Sequence, residues 1–127
     1  MNKQPTSQEF FDKTLDHLRK QGGPAIVDGS CKYRGNQGRS CAVGCHIPPE
    51  LYSPNMEGDD VLTLSEVFPE VDAYLCEDMD LVSELQAVHD GYVQSDPHTW
   101  DEYLELQMAK VATNFNLVYV KRKTDET

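Results

Sequence analysis

Trp100, Leu104, Met108, Val111 and Phe115 recur at steps of four, four, three and four residues. Those steps place all five side chains on one face of a helix, and a face so apolar has to be packed. Ser95 or Asp96 is the expected cap, Pro97 suits the first turn, and Asn116 suits the stop. Whatever this chain folds into must therefore supply a core for its C-terminal helix.

The N-terminal end offers one partner. Thr6 and Glu9 have capping-box spacing, Phe10, Phe11, Leu15 and Leu18 follow at helical intervals, and Gly22-Gly23 ends the run. Lys13, Arg19 and Lys20 fall outside that stripe. A third helix is expected over 77–90, with Asp78 as N-cap, Leu81, Leu85 and Val88 as the buried stripe, and Gly91 as its end. A shorter one is expected over 61–68, stopped before Pro69.

Between the first and second helices the period changes. Cys31-Lys32-Tyr33-Arg34 and Ser40-Cys41-Ala42-Val43 alternate by two around the turn-like Gly35-Asn36-Gln37-Gly38. This predicts a β-hairpin with Cys31, Tyr33, Cys41 and Val43 inward and Lys32, Arg34 and Arg39 outward, its register left open by the turn type. Ile47-Pro48-Pro49 breaks regular structure, residues 50–58 read as a loop, and Leu117-Val118-Tyr119-Val120 reads as a strand joining the hairpin. The expected fold is α+β: three or four helices packed on a small antiparallel sheet with a β-hairpin at about 31–43. Residues 1–127 form one domain, with 1–6 and 121–127 as flexible tails.

Charge is segregated along the chain. No Lys or Arg occurs between Arg39 and Lys110, an interval that holds sixteen Asp and Glu residues, and the net charge is −11. Phosphate contacts need Lys and Arg, so direct nucleic-acid binding through this segment is disfavoured, whereas a basic protein surface is a suitable partner. Candidate partner-binding residues are Glu57, Asp59 and Asp60, then Glu77, Asp78 and Asp80, then Asp101 and Glu102. Neither of the first two clusters matches a calcium loop. No apolar run approaches the roughly 20 residues of a membrane span, and no secretion signal is recognisable, so a cytoplasmic location without membrane contact is expected.

The four cysteines then read as free thiols in a reducing compartment. Cys31, Cys41, Cys45 and Cys76, with His46, lack the paired spacing of a zinc site, so no metal and no cofactor is expected. Cys45 and His46 are adjacent, and neighbours on extended chain point to opposite faces, which argues against a Cys-His dyad. His89-Asp90 could orient a base, although a helix-end histidine more often serves structure. The Gly35–Gly38 turn with Lys32, Arg34 and Arg39 could cradle a phosphate, but it lacks a following helix and the Walker pattern.

Cys31-Lys32-Tyr33-Arg34-Gly35, Cys41-Ala42-Val43-Gly44, Ile47-Pro48 and Tyr52-x3-Met56-Glu57-Gly58 together resemble a family of small phage and prophage proteins without an assigned activity. Leu85-Gln86-Ala87-Val88-His89-Asp90 and the Trp100-led helix extend that resemblance over about residues 8–117. The resemblance implies expression inside an infected bacterium. With the charge pattern, it leads to an expected role: a phage accessory protein that binds and inhibits a host protein through an acidic surface, in anti-defence or host takeover. The alternatives are a small enzyme or ligand-binding protein centred on the cysteine hairpin with His46 or His89, and a zinc-stabilised regulator.

Overall fold

The computed structural model of the chain describes residues 4–27, 30–35, 38–92 and 97–121. Helix α1 spans Ser7–Gln21, α2 Val61–Val67, α3 Met79–Asp90 and α4 Trp100–Asn114, and 3-10 turns cover Gly44–His46, Pro54–Met56 and Pro69–Tyr74. The expected α+β fold is overturned, because the described chain is built of helices. Its extended pairing amounts to a two-residue ladder, β1 Ile26–Val27 against β2 Ser30–Cys31, and an isolated bridge between Arg34 and Ser40.

Local chemistry explains each helix. Thr6 and Glu9 form both halves of the capping box on α1, and Gly22 ends it with φ +78°, a left-handed conformation that glycine adopts cheaply. Asp60 caps α2 by accepting from the Thr63 N–H at 2.8 Å. Asp78 caps α3 by accepting from Asp80 and Leu81. Helix α4 starts later than expected: Thr99 is its N-cap and Glu102 completes a capping box, with Pro97 lying before the helix. Ser95 and Asp96 lie outside the described residues.

The predicted hairpin fails for a packing reason. Alternation requires Ala42 to face out, yet Cys41, Ala42 and Val43 are all buried. The chain there does not run on as a strand. It coils, with the Cys45 N–H on the Cys41 carbonyl and the Gly44 N–H on Cys41 Sγ at 3.2 Å. Gly44 passes so close under Tyr33 that a Cβ would lie 2.0 Å from the Tyr33 carbonyl oxygen. Only glycine permits that approach. The tip of the expected turn, residues 36–37, lies outside the described residues.

Leu117–Val120 pairs with no strand among the described residues. The Gln8 side-chain amide takes the place of a neighbouring strand: it accepts from the Val118 N–H at 2.8 Å and donates to the Val118 carbonyl at 2.9 Å. Arg19 donates to the Val120 carbonyl and makes a two-bond ion pair with Glu105 at 2.8 and 2.6 Å. The C-terminal segment is thereby laid along α1, and Asn116, at φ +61°, makes the turn out of α4. Near the other end, Gln4 donates to the carbonyls of Asp72 and Leu75, so residues 4–6 are tied to the Pro69–Tyr74 turn.

Helices α1, α3 and α4 pack against one another around Phe10, Phe11, Leu18, Leu81, Leu85, Leu104 and Met108, all fully buried. Trp100 Nε1 donates to the Leu18 carbonyl at 3.1 Å, and the Tyr103 hydroxyl donates to the Val88 carbonyl at 2.6 Å. The second bond sets the N-terminus of α4 beside the C-terminus of α3. No helix among the described residues is long and apolar enough to cross a membrane.

Candidate functional site: an acidic face on the second and third helices

The eight candidate acidic residues divide by role. Glu57 is turned inward: one carboxylate oxygen accepts from the Tyr33 N–H at 2.9 Å, the other from the Arg34 N–H at 3.1 Å and the Tyr52 hydroxyl at 2.6 Å. Asp60, Asp78 and Glu102 cap helices while remaining exposed. Backbone donors at the α2 N-terminus hold the Asp60 carboxyl below the usual range, as expected where a carboxylate caps a helix. Asp59 is half-buried, and Glu77, Asp80 and Asp101 are exposed.

These residues do not make one patch. The Tyr103–Val88 bond puts Asp101 and Glu102 near the C-terminal end of α3, whereas Glu77, Asp78 and Asp80 flank its N-terminus. Twelve helical residues separate those ends by about 18 Å. Helix α2 packs against both the Pro69–Tyr74 turn and α3, so the acids from Asp59 to Glu84 lie on neighbouring elements. Sequence reasoning missed Glu66, Glu70 and Glu84, which are exposed there. Their signal was available: each falls off the buried stripe of its own element.

Among the described residues, none of the nine carboxylates from Asp59 to Glu84 is in an ion pair. The ion pairs among the described residues are Arg19–Glu105 and Lys20–Asp16. Two large apolar side chains, Leu62 at 59% and Val67 at 58% exposure, stand out from α2 within this acidic surround. Asp59 and Asp60 also border a cleft of about 400 Å³ with Asp90, Tyr33 and Cys41 in its walls.

The nucleophile and base candidates are committed to structure. Burial pushes the Cys41 and Cys45 thiols up to about 12 and raises Cys76, so none is a ready thiolate at neutral pH. Cys45 Sγ donates to the Ala42 carbonyl, not to a histidine. His89 is fully buried, and its Nε2 accepts from the Ala25 N–H at 2.9 Å. Its proton is therefore on Nδ1, which donates to Asp90 at 2.8 Å. Among the described residues, no group of three or more His, Cys, Asp or Glu side chains could hold a metal ion.

His46 occupies a different setting. Its ring stacks on Phe10 at 3.9 Å between centroids, its Nε2 lies 2.7 Å from Thr14 Oγ1, and it borders a cleft of about 1000 Å³ at the N-terminus of α1. Burial, with the Lys13 and His17 charges nearby, lowers its pKa to about 3.

No protein-family model matches the chain, and no curated protein or solved structure matches it either.

Proposed function

We propose that this protein binds a basic surface of another protein through the face formed by Asp59, α2, the Pro69–Tyr74 turn and the start of α3, and inhibits that partner by covering the surface. The observation that carries this reading is the uncompensated run of carboxylates from Asp59 to Glu84, none ion-paired among the described residues. A field of one sign steers an oppositely charged partner and sets its orientation. Leu62 and Val67 supply apolar contact area inside that field, the combination of buried anchor and polar rim found in protein interfaces. The sequence resemblance to phage and prophage proteins favours a host protein as partner and the cytoplasm of an infected bacterium as the setting.

Immobilised protein exposed to a bacterial lysate should retain one basic protein at stoichiometric amount. Converting Glu66 and Glu70 to Lys and Leu62 to Ser should abolish that retention while the fold persists. Retention that survives all three changes would remove this face from consideration.

A further inference from the structure

Thr14 fixes the protonation of His46. The Thr14 hydroxyl carries a single hydrogen, and it is donated to the Phe10 carbonyl at 2.7 Å. At its 2.7 Å contact with His46, Thr14 can therefore only accept, so the imidazole proton is on Nε2. That leaves Nδ1 as an acceptor lone pair. Among the described residues, no buried side-chain nitrogen or oxygen lacks a partner, and no group hydrogen-bonds to His46 Nδ1. Nδ1 must then be open to the cleft that His46 borders, although the residue as a whole is only 4% exposed.

Three charged residues line the same cleft, and one of them, Glu9, is committed to the α1 capping box, where it accepts the Thr6 N–H at 2.9 Å. Lys13 and Glu77 are both exposed, and neither is in an ion pair among the described residues. They do not reach each other, so the cleft holds a separated cation and anion with a neutral acceptor at its base. Pro5, Ala73 and Tyr74 provide apolar wall. A simple amine would meet Lys13. A simple carboxylate would meet Glu77 and leave His46 Nδ1 unsatisfied. A molecule with both groups on neighbouring atoms meets each requirement.

We propose that this cleft is a binding site for a small zwitterion of the α-amino-acid class, its carboxylate against Lys13 and its ammonium shared between His46 Nδ1 and Glu77. Partial enclosure strengthens each of these polar contacts relative to open water. The volume accommodates the largest amino-acid side chain against Tyr74 and Ala73. Ala73, Tyr74 and Glu77 belong both to this cleft and to the edge of the acidic docking face, but binding of a small zwitterion here needs no partner on that face.

The test uses isotope-labelled full-length protein titrated with a panel of free L-α-amino acids, reading the ring-nitrogen resonances of His46. Phenylalanine, phenethylamine and hydrocinnamate form a matched set within it. A panel member should move the Nδ1 resonance saturably, and for the matched set the zwitterion should bind at least tenfold tighter than either analogue, a difference of about 1.4 kcal/mol. Lys13→Met and Glu77→Gln, both exposed positions, should each weaken binding about tenfold at unchanged melting temperature. His46→Gln could disturb the Phe10 stack, so the two surface variants carry the result. No saturable shift with any amino acid up to about 10 mM would overturn the proposal. So would an amine that binds as tightly as the zwitterion, or affinity indifferent to Lys13→Met.

Discussion

Glu57 holds Tyr33 by its backbone: the carboxylate accepts the Tyr33 N–H at 2.9 Å while the Tyr33 hydroxyl donates to the carbonyl of Asp59 at 2.5 Å. The loop carrying Glu57 and Asp59 and the segment carrying Tyr33 and Arg34 are thus locked face to face without a β-ladder. Nothing else among the described residues offers the Tyr33 and Arg34 N–H groups an acceptor.

Glu57→Ala should accordingly destabilise the protein by roughly 2–4 kcal/mol, because it strands backbone donors that had a charged acceptor. Glu66→Ala, exposed and without a hydrogen bond, should change stability by no more than about 0.5 kcal/mol. Urea denaturation of the two variants side by side decides this. Equal, small effects would show that water replaces the Glu57 carboxylate.

Trp100 joins α4 to α1 in two ways, through its buried ring and through the Nε1–Leu18 carbonyl bond. Trp100→Ala should cost about 3–5 kcal/mol. Trp100→Phe keeps most of the apolar contact but leaves the Leu18 carbonyl without its donor, and should cost about 1–3 kcal/mol. A Phe variant as unstable as the Ala variant would assign the whole effect to the hydrogen bond.

The helices were legible in sequence because their signals are local. The Thr6–Glu9 box, Gly22, Asp78 and the Leu81–Leu85–Val88 stripe each act within one or two turns, and each is found where the spacing placed it. The last helix start was misplaced because Pro97 outweighed the Thr99–Glu102 box, although both were present in the sequence. The sheet failed for another reason. Residues 41–43 and 117–120 have apolar alternation or an apolar run, but pairing depends on a neighbouring strand, and here the neighbours are Tyr33 backbone over Gly44 and a Gln8 side chain. The Gln8–Val118 contact joins opposite ends of the chain, and the Gly44–Tyr33 approach is a backbone packing that side-chain alternation does not encode. The same holds for the candidate sites. Glu57 was read as a surface acid because its three partners lie on distant or turn-bound residues. The His46 cleft depends on α1, the Gly44–His46 turn and Ala73-Tyr74 meeting in space.

Stability should depend on His46 with a definite sign. Its folded pKa, about 3, lies below the ordinary 6.5, so the unfolded chain takes up a proton that the folded protein does not. The contribution is complete above about pH 6.5 and is lost progressively as pH falls towards the folded value, at up to about 1.4 kcal/mol per pH unit. In the folded protein the His46 ring resonances should not titrate between about pH 7 and pH 4. An inflection near neutral pH would mean that the imidazole is far less buried than its Phe10 and Thr14 contacts indicate.

Charge reversal distinguishes a docking face from an ordinary solvated surface, provided the caps are left intact. Asp60, Asp78 and Glu102 satisfy helix N-termini, so their loss would cost about 0.5–2 kcal/mol each and confuse binding with folding. Glu66, Glu70, Asp80 and Glu84 are exposed without that duty. Converting these to Lys should leave the melting temperature nearly unchanged but slow association with the captured partner by an order of magnitude or more at low salt, because such charges act mainly on the encounter rate. Raising salt should narrow the difference between wild type and variant, since exposed charges are screened beyond about 8 Å at physiological ionic strength. Dissociation, governed by close contacts such as those of Leu62 and Val67, should change less. Stopped-flow association at several salt concentrations measures both rates. A wild-type association rate indifferent to salt, with the reversed variant equally fast, would mean that the carboxylates between Asp59 and Glu84 are there for hydration alone.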